Sequence, residues 1–155
     1  MVRWSDGLYG GLLAGTVVVV FYWLVDMLWL RDMTLPGFFA EIASGILKDK
    51  ATPDNFVAVA FGAALHFLLA SFFGIVYAAL ARNVSAMRHA PTSVFFGMTY
   101  GLLVWFVIAN LVVPAFGVFS TQPLWVGLVA NTIFYGWVIS EFITVVQRAK
   151  APEAA

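Results

Sequence analysis

Cysteine is absent from this 155-residue chain, and charge is scarce, with only 10% of residues being Asp, Glu, Lys or Arg. Without a thiol there is no disulfide, no Fe–S cluster, no thiolate metal site and no thiol nucleophile. A soluble domain carries about 25% charged residues, so the second shortage excludes a water-solvated surface. Eight basic and eight acidic residues cancel to a formal net charge of zero, and the isoelectric point is about 6.7. The basic field that a nucleic-acid partner requires is therefore missing. Histidine occurs only at His66 and His89. No HExxH is present, and no His/Asp/Glu cluster stands at metal-ligand spacing. A haem held by two histidines is excluded, because His66 falls within an apolar run and His89 in a polar connection. GxSxG, a Walker A loop and a GxGxxG after a strand are all missing. Tyr9-Gly10-Gly11 is glycine-rich, but it lies inside an apolar run and is no phosphate loop. The expectation is a non-enzymatic protein without metal or cofactor.

What the chain has in abundance is apolar length. Hydrophobic residues make up 63% of it, and the mean hydropathy is +0.94. A spanning helix needs roughly 20 mostly apolar residues. Four runs qualify, at about 7–30, 56–81, 92–113 and 124–146. They are continuous and about twice the length of a barrel strand, so a transmembrane β-barrel is excluded. The predicted fold is all-α: a single membrane domain, 1–155, built as a four-helix transmembrane bundle in the lipid bilayer. Arg31, Asp32 and Pro36 close the first run, and Pro53, Asp54 and Asn55 precede the second. Pro91 opens the third run and Pro114 closes it, with Pro123 before the fourth, as proline's missing N–H and fixed φ favour. The first run is too long for a signal peptide and ends in Trp23, Trp29 and Arg31 rather than small residues, so it is read as an uncleaved span.

Four spans put both termini on one side. That side collects Arg3, Arg82, Arg88, Arg148 and Lys150, against Arg31, Lys48 and Lys50 on the other. The positive-inside bias then places the termini in the cytoplasm of a cell inner (plasma) membrane. Trp23, Trp29, Phe119 and Trp125 fall near the outer interface. The first connection carries Phe38, Ile42 and Ile46 on one helical stripe, with Glu41, Ser44, Gly45 and Lys48 opposite. This is an amphipathic helix of about 36–48, expected to lie along the outer membrane surface or over the bundle mouth.

Small residues recur at four-residue spacing: Gly7, Gly11 and Gly15; Ala70, Gly74 and Ala78; Gly97 and Gly101; Gly136 and Ser140. Apolar burial does not favour helix contact over lipid contact, so backbone approach at small residues is what holds such helices together. These seams are expected to pack the bundle, with a homodimer seam along the first span as the alternative. Tyr9-Gly10-Gly11-Leu12-Leu13 also resembles Tyr100-Gly101-Leu102-Leu103-Val104, and Gly62 to His66 resembles Gly127 to Asn131. Two hairpins related by a parallel repeat would give that pattern.

Five polar residues fall inside the runs, where polar groups are costly and face protein or water. They are Asp26, His66, Asn110, Asn131 and Glu141. Each has a structural alternative. His66 and Asn131 could bond each other, Asp26 could pair with Arg31, and Glu141 with Arg148.

Leu65-His66-Phe67 with Gly74 and Tyr77, Tyr100-Gly101 with Trp105, Asn110 and Pro114, and Tyr135-Gly136-Trp137 together resemble small bacterial inner-membrane proteins of the YagU type and similar four-helix families. The resemblance covers about the last hundred residues. It implies an inner-membrane location and a four-helix fold, but no activity. Asn131 stands where a histidine is expected before Tyr135-Gly136. Three functions follow as expectations. The first is an accessory or structural subunit acting through a homo-oligomer or another membrane protein. The second is a small proton or solute transporter using the polar residues, and the third is a binder of lipid or quinone near Trp105 and Tyr135.

Overall fold

The computed structural model describes residues 2–30, 34–89, 91–118 and 123–150, and no strand occurs among them. Helix α1 (Trp4–Val25) widens into a π turn at Asp26–Leu30. It is followed by α2 (Leu35–Leu47), a 3-10 turn at Lys48–Lys50, and α3 (Phe56–Asn83). Helix α4 (Thr92–Val107) passes through a π turn at Ile108–Val112 into α5 (Val113–Phe116). Helix α6 (Leu124–Val129) passes through a π turn at Ala130–Tyr135 into α7 (Gly136–Ala149). Four continuous spans result, Trp4–Leu30, Phe56–Asn83, Thr92–Phe116 and Leu124–Ala149. At 1.5 Å per residue the shortest, 25 residues, reaches about 37 Å, enough to cross about 30 Å of hydrocarbon. The chain is an all-α, multi-pass membrane protein. The first, second and fourth spans outrun their apolar runs by two or three residues at the termini end and the third by three at the other end, because the backbone ladder continues into the flanks.

Both chain ends meet. Asp6 lies in the first turn of α1, where its Oδ2 accepts the Arg3 N–H at 2.8 Å. Lys150, just past α7, sets its Nζ 2.8 Å from the same carboxylate. An anion at a helix start and a cation at a helix end each suit the helix dipole, and here the two also pair.

Two seams build the bundle. α1 lies on α3, with Gly7 against the Gly74 carbonyl and Ala78, and Gly11 against the Ala70 carbonyl. α4 lies on the α6–α7 span in the same way, with Gly97 against the Gly136 carbonyl and Ser140, and Gly101 against the Asn131 carbonyl. Gly10 then brings Ile139 and Phe142 of α7 onto α1, joining the hairpins. The glycine face of the first span is thus filled within the chain, by α3 and α7.

The two hairpins use corresponding seams, but not in the register that the Tyr-Gly match predicts. Gly11, not Gly10, is the counterpart of Gly101. Aligning the tyrosines misleads because Tyr9 is 61% exposed whereas Tyr100 is 8% exposed. On the partner helices Ala70 corresponds to Asn131 and Gly74 to Gly136, where the sequence pairs His66 with Asn131. Four residues on one side match five on the other, and the π turn Ala130–Tyr135 absorbs the extra residue.

One expectation about punctuation is corrected. Pro114 does not end the third span, since the helix runs on to Phe116 and closes at Gly117, whose φ of 64° is the left-handed conformation glycine favours. The π turn just before Pro114 has already left the α-helical pairing that proline would break. Of the two placements expected for α2, the packing fits the one over the bundle. The helix starts at Leu35 with Thr34 capping the Gly37 N–H at 3.2 Å, and it packs along α3 until the Phe39 backbone meets Gly62. It is the tucked-in alternative, with Ala40, Ala43 and Gly45 buried. Lys48, at φ 53°, turns its Nζ to the Phe116 carbonyl at 3.1 Å, tying the end of α2 to the end of α5.

Two contrasts test these contacts. Gly101→Ala drives a methyl into the Asn131 backbone and is expected to destabilise the bundle by about 1–3 kcal/mol. Gly127→Ala meets only side-chain atoms at 3.2 Å or beyond and is expected to be neutral or stabilising, by up to about 1 kcal/mol. Thermal melts in mild detergent, followed by circular dichroism, read the difference. At the termini, Lys150→Ala removes one ion pair, worth about 0.2–1 kcal/mol. Asp6→Ala also removes the contact with the Arg3 N–H and is expected to cost about 1 kcal/mol more. The same melts check that order.

Candidate functional site

Three of the four spans widen into a π turn in the half of the bundle away from the termini. Asp26, Asn110 and Asn131 each sit in one of those turns. The two asparagines explain their position. Asn110 Nδ2 donates to the Phe106 carbonyl, and Asn131 Nδ2 to the Gly127 carbonyl, both at 2.9 Å. A side-chain donor on a carbonyl four residues back competes with the helix ladder and bends it. α3, with no such turn, is the regular helix on which α2 rests.

Within this half the bundle holds a partly open cavity of about 190 Å³. α1 contributes Gly15, Val18 and Tyr22, and α2 contributes Phe38, Glu41 and Ile42. His66, Leu69 and Phe73 come from α3, and Val104 and Ile108 from the α4 span. Asn131 and Tyr135 complete it from the fourth span. Most of the wall is hydrocarbon and aromatic ring. α3 and α4, which flank it, meet mainly through the Tyr100 side chain, whose hydroxyl donates to the Phe73 carbonyl at 2.6 Å. The Val118 side chain, held against Gly45 of α2, forms part of the wall on the side away from the termini.

His66 is fixed from two directions. Its Nε2 stands 3.1 Å from the Gly15 carbonyl. Gly15 allows this approach, because a Cβ there would collide with the Ala70 methyl, 2.7 Å away. Phe38, Phe39 and Phe67 pack their rings edgewise around the imidazole, with centroids 5.7, 6.2 and 5.1 Å away. A carbonyl oxygen can only accept. In the neutral ring the proton is therefore on Nε2, and Nδ1 is an acceptor. Tyr135 is fixed in a similar way, its hydroxyl donating to the Ala70 carbonyl at 2.6 Å. Glu41 stands within electrostatic reach of the Tyr22 hydroxyl.

Of the five polar residues singled out in the sequence, the fold brings His66 and Asn131 to this cavity. They do not bond each other, since each is engaged with a backbone carbonyl. Asp26 is buried at the end of α1 and Asn110 is exposed, and neither lines the cavity. The pairing of Asp26 with Arg31 lies outside the described residues, as does Phe119. Glu141 is on the termini side, within reach of Tyr77, whose buried hydroxyl has no hydrogen-bond partner among the described residues. Trp29 and Trp125 meet edgewise at 6.2 Å on the far side. The lipid- or quinone-binding reading names Tyr135, which lines the cavity, and Trp105, which does not, while sequence patterning missed Tyr22 and Glu41 as cavity residues. Glu41 did carry a sign: it sits on the polar stripe of α2, which faces inward once α2 is tucked against α3. Among the described residues no group of three metal-ligating side chains comes together.

The sequence matches no family model, no curated protein and no solved structure, so the likeness to YagU-type proteins rests on the aromatic and glycine positions alone.

Proposed function

We propose that this is a non-enzymatic membrane protein that binds a small, mostly apolar ligand in the cavity between its helices. The observation that carries the proposal is the convergence of His66, Asn131, Tyr135, Tyr22 and Glu41 on one apolar-walled space. Few polar groups set in hydrophobic walls are the usual composition of a small-molecule site. A volume of about 190 Å³ exceeds the ~150 Å³ of an engineered apolar cavity that takes up benzene, so a ring or a chain end fits. A lipid-like ligand, dissolved in the surrounding bilayer, suits such a wall.

Transport is the weaker alternative. A proton or solute path would have to continue from the cavity toward Glu141. There the tyrosine hydroxyls of positions 100 and 135 donate to backbone carbonyls rather than to one another, and Ile139 and Ile143 fill the space without exposure. The accessory-subunit reading loses its strongest motive, because the glycine seams are satisfied within one chain. The count of five basic residues against three supports an inner (plasma) membrane orientation with cytoplasmic termini, and so a cavity in the outer half. The YagU-type resemblance supports the same location.

The test is extraction. The protein is purified with its surrounding lipid in polymer-bounded discs and extracted with organic solvent, and the extract is examined by mass spectrometry. One amphiphile enriched over the bulk lipid is expected, and it should be lost from Val104→Phe, which fills the cavity while keeping the wild-type melting temperature. An extract from the wild-type protein containing only bulk lipid would overturn the proposal.

A further inference from the structure

The hydrogen-bonding groups of the cavity are unevenly committed, and that imbalance selects the ligand. Three donors are spent on the protein's own carbonyls: His66 Nε2–H on Gly15, the Tyr135 hydroxyl on Ala70, and one Asn131 amide N–H on Gly127. What these side chains still offer is mainly acceptance. Nδ1 of His66 has no hydrogen-bond partner among the described residues, and it is not among the atoms that packing seals away. The Tyr135 oxygen keeps lone pairs, and the Asn131 Oδ1 is an acceptor. Among the described lining residues, the donors left are the second Asn131 N–H and the Tyr22 hydroxyl. A ligand that can only accept, such as a quinone, meets few donors here. It would also leave Nδ1 buried against its own lone pairs, an unmade bond that counts against binding.

We infer that the cavity selects an amphiphile whose buried end is a hydroxyl, an isoprenoid or fatty alcohol, which donates to Nδ1 of His66. The inference rests on the ligand-binding function proposed above and specifies its ligand. The three phenylalanine rings around His66 hold the imidazole plane, so the direction of the lone pair is set before the ligand arrives. Pre-set polar groups in a dry wall discriminate by what they leave unpaired, which is how buried sites reject an analogue lacking the matching group. A neutral hydroxyl suits this wall better than an ammonium, whose desolvation in an apolar cavity is far more costly. The hydrocarbon tail leaves between α3 and α4, flanking helices with little backbone contact between them.

Farnesol and farnesyl methyl ether separate the hydroxyl from the chain. They share one tail and differ in the single donor. Both are titrated into the purified protein in detergent, and bound fraction is read by native mass spectrometry. Farnesol is expected to bind about three- to tenfold more tightly than the ether, the effect of one hydrogen bond to a buried acceptor. His66→Gln, whose amide can both donate to the Gly15 carbonyl and present an acceptor, is expected to keep that preference. His66→Leu is expected to lose it while still binding the tail. The wild-type comparison stands by itself if His66→Leu does not fold. Equal affinity for alcohol and ether overturns the hydroxyl inference and leaves ligand binding intact. Binding of neither, together with an extract of bulk lipid only, overturns both.

Discussion

Backbone meeting backbone is the constraint on which this bundle depends. In a bilayer the apolar side chains are as well solvated by lipid as by one another, so hydrophobic burial does little to hold helices together. Attraction has to come from close van der Waals contact, and that needs positions without side chains. Gly7 and Gly11 supply them to α1, Gly74 to α3, Gly97 and Gly101 to α4, and Gly136 to α7. Each such notch is filled by a carbonyl of the partner helix. The result is a pair of stiff hairpins with similar seams, joined where Gly10 admits Ile139 and Phe142.

Helices locked together at the termini half must diverge or deform elsewhere to accommodate anything larger than a glycine. Here they deform. Three spans take a π turn, and in two of these turns an asparagine bonds the carbonyl four residues back. The fourth span absorbs one extra residue, which lets its seam keep step with that of the first hairpin. Into the space so made comes α2, capped by Thr34, pressed against Gly62 and tied at its far end by Lys48 to the Phe116 carbonyl.

The cavity is therefore a by-product of packing that has acquired a chemical character. Its donors are committed to the frame: His66 holds α3 to α1, and Tyr135 holds α7's span to α3. These same bonds fix the side chains and determine which lone pairs face the space. The interactions that hold the fold are also the ones that orient the polar side chains of the cavity.

The sequence by itself determined the membrane class, the number of spans, the small-residue faces and the identity of the polar residues within them. Those are composition and period, and the bilayer enforces them locally: about twenty apolar residues must be helical, because no water can satisfy their backbone. Tertiary structure alone decided the rest. The repeat register depended on which tyrosine is buried, which a Tyr-Gly match cannot reveal. Pro114 reads as a terminator until the preceding π turn is known, and π turns leave almost no trace in an apolar run. The polar stripe of α2 has the same period whether it faces water or a cavity, so Glu41 became a site residue only when Phe39 met Gly62. His66 and Asn131 were visible as costly residues, yet their partners were carbonyls on backbone, which no residue type announces. What a polar group in a membrane helix faces depends on rotations of about 100° per residue, and only the packed neighbours fix those.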